Sequence, residues 1–244
     1  MWYSGDKSIG CGENNDMVDL TEILDKPLPT TSYFDLTYKL LNSLCRSTEQ
    51  GIQQNIEDYQ NNGAEFVEVD HDPQYGPIGF EHYNNITHFD VLDLDDTVTI
   101  HFPSMQRRSV LLTIFGIFEH ELEEFCKAYA KKYQLKVKVS DFKGSGIERS
   151  TTYIKKVLEI SVPSSELRKV QVLRNACAHQ DAKYMKPDGQ RITEIVALVN
   201  EQSAFLELDS LENKVIVKTG FLDWVLKLFK NYFQALEQQL KDRA

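Results

Sequence analysis

Apolar residues recur with a helical period over most of the chain. The most regular stretch is 105–134, where Leu111, Phe115, Phe118, Leu122, Phe125 and Tyr129 follow one another in steps of four and three. Those steps define one buried face on a rod of roughly 45 Å. The opposite face carries Glu119, Glu123, Glu124, Lys127 and Lys131. Residues 148–159 predict a second helix, with Tyr153, Ile154, Val157 and Leu158 inward and Pro163 ending it. Ser164 or Ser165 caps a third, with Glu166 in its first turn and Leu167, Val170, Leu173 and Cys177 as its packing face. Gly220 precedes a last amphipathic helix carrying Leu222, Val225, Phe229, Leu236 and Leu240.

Other segments carry weaker patterns. Over 32–61, Leu36, Leu40, Leu44, Ile52, Ile56 and Tyr59 recur mostly at fours, with Gly51 as a candidate break. Alternation predicts strands at 65–70 and 91–102, the latter from Val91, Asp93, Asp95 and the β-formers at 97–100. Pro73, Gly76, Pro77 and Gly79 between them read as a loop. A short extended piece, 135–139, leads to a turn at Lys143-Gly144-Ser145-Gly146. Residues 205–208 and 215–218 read as a hairpin. The expected architecture is mainly α: a four- to five-helix bundle with a small β-hairpin over 105–244, preceded by an acidic α+β region at 31–104 and a flexible polar arm at 1–30.

Charge sharpens that division. The net charge of −10 over 244 residues conceals a balance of −15 in 1–104, +7 in 105–191 and −2 in 192–244. The basic middle segment favours a phosphate-bearing partner that the whole-chain balance would discourage. The acidic region either covers that segment as an internal competitor for such a partner, through Asp90, Asp93, Asp95 and Asp96, or supplies solubility or binds a separate partner. No apolar run approaches the roughly 18–20 residues of a membrane span, and 1–15 has no apolar core of a secretory signal. Cys11, Cys45, Cys126 and Cys177 lie far apart, which fits a reducing cytoplasm rather than a disulfide scaffold or zinc ribbon.

The residues that bear chemistry cluster at the end of the third predicted helix, in Arg174-Asn175-Ala176-Cys177-Ala178-His179. Arg offers a permanently charged fork for phosphate oxygens. His takes and returns a proton near neutral pH. RNA cleavage by attack of its own 2′-hydroxyl needs both, and no metal. Residues five apart on a helix point about 140° from each other, so Arg174 and His179 cannot share a face, whereas Asn175 and His179 do. Two copies of the helix at a dimer axis would place Arg from both chains beside His from both. An Arg and a His in the last turns also serve simply to complement the helix dipole, so the pattern alone leaves both roles open.

Other groupings are less ordered. His71, His82, His88 and His101, near Asp70, Asp72, Glu81 and Asp90, match no standard ligand spacing, so no metal is expected. Gly144-x-Gly146 lacks the Lys-Ser/Thr of a P-loop and reads as a turn. Ser109, Ser164 and Ser165 have no nucleophile-elbow setting, and the helical phase of Cys177 indicates packing.

Arg174-Asn175-x-x-x-His179 resembles the signature of the HEPN superfamily, the higher eukaryote and prokaryote nucleotide-binding domains. Arg108-Ser109-Val110-Leu111 through Phe118-Glu119-His120-Glu121-Leu122 is similar to the first long helix of a bacterial subgroup. Gly144 through Val157 is similar to the following loop and helix of that group, so the likeness covers about 105–240. The resemblance implies a helical bundle that dimerises about its motif helices and a metal-independent endoribonuclease acting as a toxin or anti-phage effector, without cofactor. It implies catalytic roles for Arg174 and His179, with Asn175 assisting and Glu119 as a supporting acid. RNA is the implied substrate, and a cognate antitoxin or defence-system protein an implied partner. Some members of the superfamily bind RNA, nucleotide or protein without cleavage, and that alternative stands beside the first.

Overall fold

The computed structural model describes residues 32–91, 93–144 and 146–242, and over these the chain is mainly helical. The expected arm at 1–30 lies outside the described residues. Six helices follow in order: α1 (Asp35–Asn62), α2 (Phe102–Lys132), α3 (Gly146–Lys156), α4 (Ser165–His179), α5 (Thr193–Glu201) and α6 (Phe221–Lys241). Between α1 and α2 lies an antiparallel sheet of β1 (Glu65–Asp72), β2 (Gly76–Tyr83) and β3 (Ile86–Thr87). Between α5 and α6 lies the expected hairpin, β4 (Leu206–Asp209) and β5 (Lys214–Val217), with Leu206 opposite Val217. None of the described helices is long and apolar enough to cross a membrane.

α2 is the axis of the core. Its predicted stripe is buried from Leu111 to Phe125, and α1, α3, α4, α6 and β5 all pack on it. Phe118 stacks on Phe229 of α6 at 4.0 Å, and Phe34, at the start of α1, stacks on Phe233 at 4.7 Å. Such offset and edge-on ring pairs add specificity to the burial itself. At the other end, Arg107 is almost fully buried and bonded on all sides. It meets Glu49 of α1 through two 2.9 Å bonds and also donates to the Val217 carbonyl and the Thr219 hydroxyl. The Ser104 hydroxyl accepts the Val217 amide at 2.9 Å, so β5 is sewn to the start of α2.

Several expectations change. Phe34, Leu41 and Cys45 belong to the same core as the residues beyond 105, so the boundary at 104 does not separate two cores. The face of α1 is also turned. Leu36, Leu40 and Leu44 are exposed and Leu41 and Cys45 are buried in their place, whereas Ile52 and Tyr59 are buried as expected. Steps of four advance about 40° each, whereas steps of seven stay within about 20° of one seam. α1 runs through Gly51 without a break.

The expected strand at 91–102 is helical instead. The Asp93 carboxylate accepts the Asp96 amide as an N-cap, and the one-turn helix Leu94–Asp96 and the π turn Thr97–His101 lead directly into α2. Hydroxyls of Thr97 and Thr99 bond the carbonyls four residues back, which suits these β-branched residues to the turn. The expected loop at 73–79 shrinks to the turn at 73–75, because β2 begins at Gly76 and pairs Pro77 with His71. Proline is tolerated there because β3 reaches only Tyr83 and His82, leaving that end of β2 without a second neighbour. The piece at 135–139 forms no strand and closes in a short 3-10 turn, Val139–Asp141. α3 stops at Lys156, three residues before the expected end, and Ser164 stands at the N-cap of α4 without a side-chain cap bond.

This shared core predicts that Phe34→Ala costs about 3–5 kcal/mol in urea unfolding. A chain beginning at Pro103 loses Phe34, Leu41, Cys45 and the partner of Arg107, and shows no cooperative thermal transition by circular dichroism.

Candidate active site

The site is assembled where α2, the start of α3 and the last turns of α4 meet. Glu119, expected on the polar face of α2, is turned into this junction with only 17% of its side chain exposed. One carboxylate oxygen accepts the Ile147 amide at 3.2 Å, in the first turn of α3. The other pairs with the Arg174 guanidinium at 3.4 Å. A carboxylate at a helix N-terminus is favoured by the unpaired amides and the helix dipole. Gly146 makes the approach geometrically open: its φ is +53°, and a Cβ there would lie 2.2 Å from the Glu119 oxygen.

Arg174 is held on three sides. Nη2 faces Glu119, Nη1 donates to the Asn175 side-chain oxygen at 3.0 Å, and Cζ lies 5.5 Å from the centre of the Phe115 ring. Its Nε is buried with no hydrogen-bond partner among the described residues. The Nε atoms of Arg108 and Arg149 are buried in the same way, while 26% of the Arg174 side chain stays exposed.

His179 is the last residue of α4 and is exposed, as is Asn175 one turn earlier. No hydrogen bond or ion pair joins His179 to Arg174, Asn175 or Glu119 among the described residues. The structure therefore brings three of the four expected residues together and leaves His179 apart, in line with the angular offset of Arg174 and His179 along the helix.

The backbone beyond His179 is fixed by residues that no motif signals. Asp181 and Ala182 both adopt left-handed φ values, +50° and +60°, and the Gln180 and Ala182 amides return to the Ala176 carbonyl. Two successive non-glycine residues in this region carry strain that the surroundings must hold. Arg108 bonds both the carbonyl and the carboxylate of Asp181 at 2.9 Å, and Lys214 reaches the same carboxylate at 2.6 Å. Burial works to raise the Asp181 carboxyl, but Lys214 and Arg108 outweigh it and hold it below the usual range. Ala182 is fully buried, and its carbonyl accepts the Val215 amide of β5. The basic excess of 105–191 covers Arg108 but not Lys214, and partners 73 and 33 positions apart leave no spacing to read.

The remaining candidates separate. Burial pushes the Cys177 thiol up to about 12, so it is no nucleophile at neutral pH. Ser109 bonds the Met105 carbonyl within α2, and Gly144 and Gly146 both have positive φ, as a turn requires. His71, His82 and His88 each face a neighbour within the β1–β3 sheet: Glu68, Glu65 and the Glu81 amide. Only His101 lies elsewhere, beside the β4–β5 hairpin. Asp90 and Asp93 bond Thr87 and the Asp96 amide, and Asp95 accepts the Tyr59 hydroxyl. Among the described residues, Glu49–Arg107 is the one ion pair from 32–104 to a basic residue of 105–191, so these aspartates do not cover the basic segment.

Gly146→Ala tests the junction. The added methyl must displace Glu119, freeing Arg174, and is expected to lower the melting temperature by several degrees, while Gly51→Ala, inside α1 with nothing within 4 Å of its Cβ, does not lower it. Differential scanning fluorimetry reads both. No family model, no curated protein and no solved structure matches the chain.

Proposed function

We propose that the chain is a metal-independent endoribonuclease of HEPN type, a toxin or anti-phage effector, in which two copies complete one composite site. The observation that carries this reading is Arg174: a guanidinium anchored by Glu119 and Asn175 yet still partly exposed, on the same helix end that presents His179. A scissile phosphate pairs with the exposed part of that guanidinium. His179 takes the proton of the ribose 2′-hydroxyl as its oxygen bonds to phosphorus, and the bond to the leaving 5′-oxygen breaks as that oxygen is protonated, by His179 of either chain. Arg174 bears the growing charge on the phosphorane oxygens. The products are a 2′,3′-cyclic phosphate and a free 5′-hydroxyl.

The offset between Arg174 and His179 supports the homodimer, because one helix cannot aim both at a single phosphate. A cytoplasmic location and a cognate antitoxin or defence-system partner belong to the same proposal. The second reading is a non-catalytic HEPN module that binds RNA, nucleotide or protein. The Glu119 ion pair favours it, since it neutralises part of the charge that phosphate would need.

Arg174→Ala and His179→Ala are each expected to lower RNA cleavage at least about 100-fold, with non-additive losses in the double variant. Cleavage by the wild-type chain persists in EDTA. Mixing the two single variants forms heterodimers with one intact pairing and restores part of the activity. Wild-type protein that binds RNA without cleaving it selects the second reading. Variants that cleave like wild type overturn the assignment of the site.

A further inference from the structure

The turn that joins β4 to β5 holds two carboxylates in fixed orientations. One oxygen of Asp209 accepts the Leu211 amide at 2.8 Å, and one oxygen of Glu212 pairs with Lys214 at 2.7 Å. The second oxygen of each has no partner among the described residues. Facing them is His101, the last residue of the π turn, brought there because Ser104 and Arg107 fasten the start of α2 to β5. Its imidazole likewise makes no hydrogen bond among the described residues. One ligand atom from each of His101, Asp209 and Glu212 lies within 4.8 Å of the others. Three side chains from two segments more than a hundred positions apart thus meet within the reach of one ion.

We infer that His101, Asp209 and Glu212 bind one divalent transition cation of the zinc class. The donor set argues for that class. An imidazole nitrogen is a poor ligand for Mg²⁺ or Ca²⁺, which take oxygen ligands, and no thiolate is present to select a soft ion. Bonds of about 2.1 Å place tetrahedral donors about 3.4 Å apart. Glu212 closes that distance, because its side chain is the most exposed of the three while His101 and Asp209 are half-buried. The fourth position falls to water. The contacts to the other carboxylate oxygens act as an outer shell, with Leu211 orienting Asp209 and Lys214 orienting Glu212.

The cation staples the hairpin to the entry of α2. Lys214 links Glu212 to Asp181, and Asp181 links to Arg108, so the site connects to the turn behind His179 without touching Arg174. It takes no part in RNA cleavage, and the inference stands whether or not the chain is a nuclease.

The test uses the full chain, stripped with EDTA and dialysed. Titration calorimetry with ZnCl₂ is expected to show a saturable site that MgCl₂ does not fill, with a melting temperature raised at saturation. Co²⁺ in place of Zn²⁺ gives visible ligand-field bands. His101→Ala and Glu212→Gln each weaken Zn²⁺ binding at least about tenfold and remove those bands. His71→Ala and His88→Ala leave both readouts unchanged. Glu212 sits in an exposed turn, so its variant keeps the metal-free melting temperature even if His101→Ala does not fold. Zinc binding of the same affinity in wild type and Glu212→Gln, or none at millimolar ZnCl₂, overturns the site.

Discussion

A helix of 31 residues that is packed against on most of its length cannot leave a charge unpaired, and the rest of the molecule follows from that constraint on α2. Its aromatic stripe takes the rings of α6 and the start of α1. Its most buried charges, Arg107, Glu119 and Arg108, demand partners, because a buried ion without one costs several kcal/mol. Arg107 finds Glu49, and in doing so ties α1 and β5 to one end of the helix. Glu119 finds Arg174 and the amide of Ile147, and ties α3 and α4 to the middle.

The same pairing that satisfies Glu119 builds the candidate site. Arg174 is aimed by an acid on one helix, a ring on that helix and an amide on its own. His179 is placed differently, by a strained turn that Arg108 and Lys214 clamp through Asp181. Two groups at one helix end, with no contact between them inside one chain, suit a site whose halves belong to two copies. In that proposal the two-fold axis replaces the hinge or loop that a single chain would need.

The β1–β3 sheet stands outside this network. It packs on a small cluster of Tyr59 from α1 with Leu94 and Val98 from the entry of α2, separate from the main core, and its aspartates and histidines bond neighbours within the sheet and its turns. The acidity of the N-terminal hundred residues therefore has local causes where it is described, caps and turns among them, rather than a paired basic surface.

The sequence by itself determined the elements that satisfy their own periodicity. The stripe of α2, the inward faces of α4 and α6, Tyr153 and Ile154 on α3, and the β4–β5 hairpin stand where the pattern puts them, because burial of a repeating face is a local property of the chain. Arg174, Asn175 and His179 were legible for the same reason, as neighbours on one helix. Only the tertiary structure decided which of two apolar seams on α1 faces inward, since Leu40 and Leu41 are equally hydrophobic and only packing against α2 and α6 separates them. It also turned 91–102 into the entry of α2, where a capping aspartate and threonine back-bonds outweigh β propensity. The partners of Arg107, Arg108 and Glu119, and the meeting of His101 with Asp209 and Glu212, join residues tens to more than a hundred positions apart. No spacing encodes such contacts, because they exist only once the helices have packed.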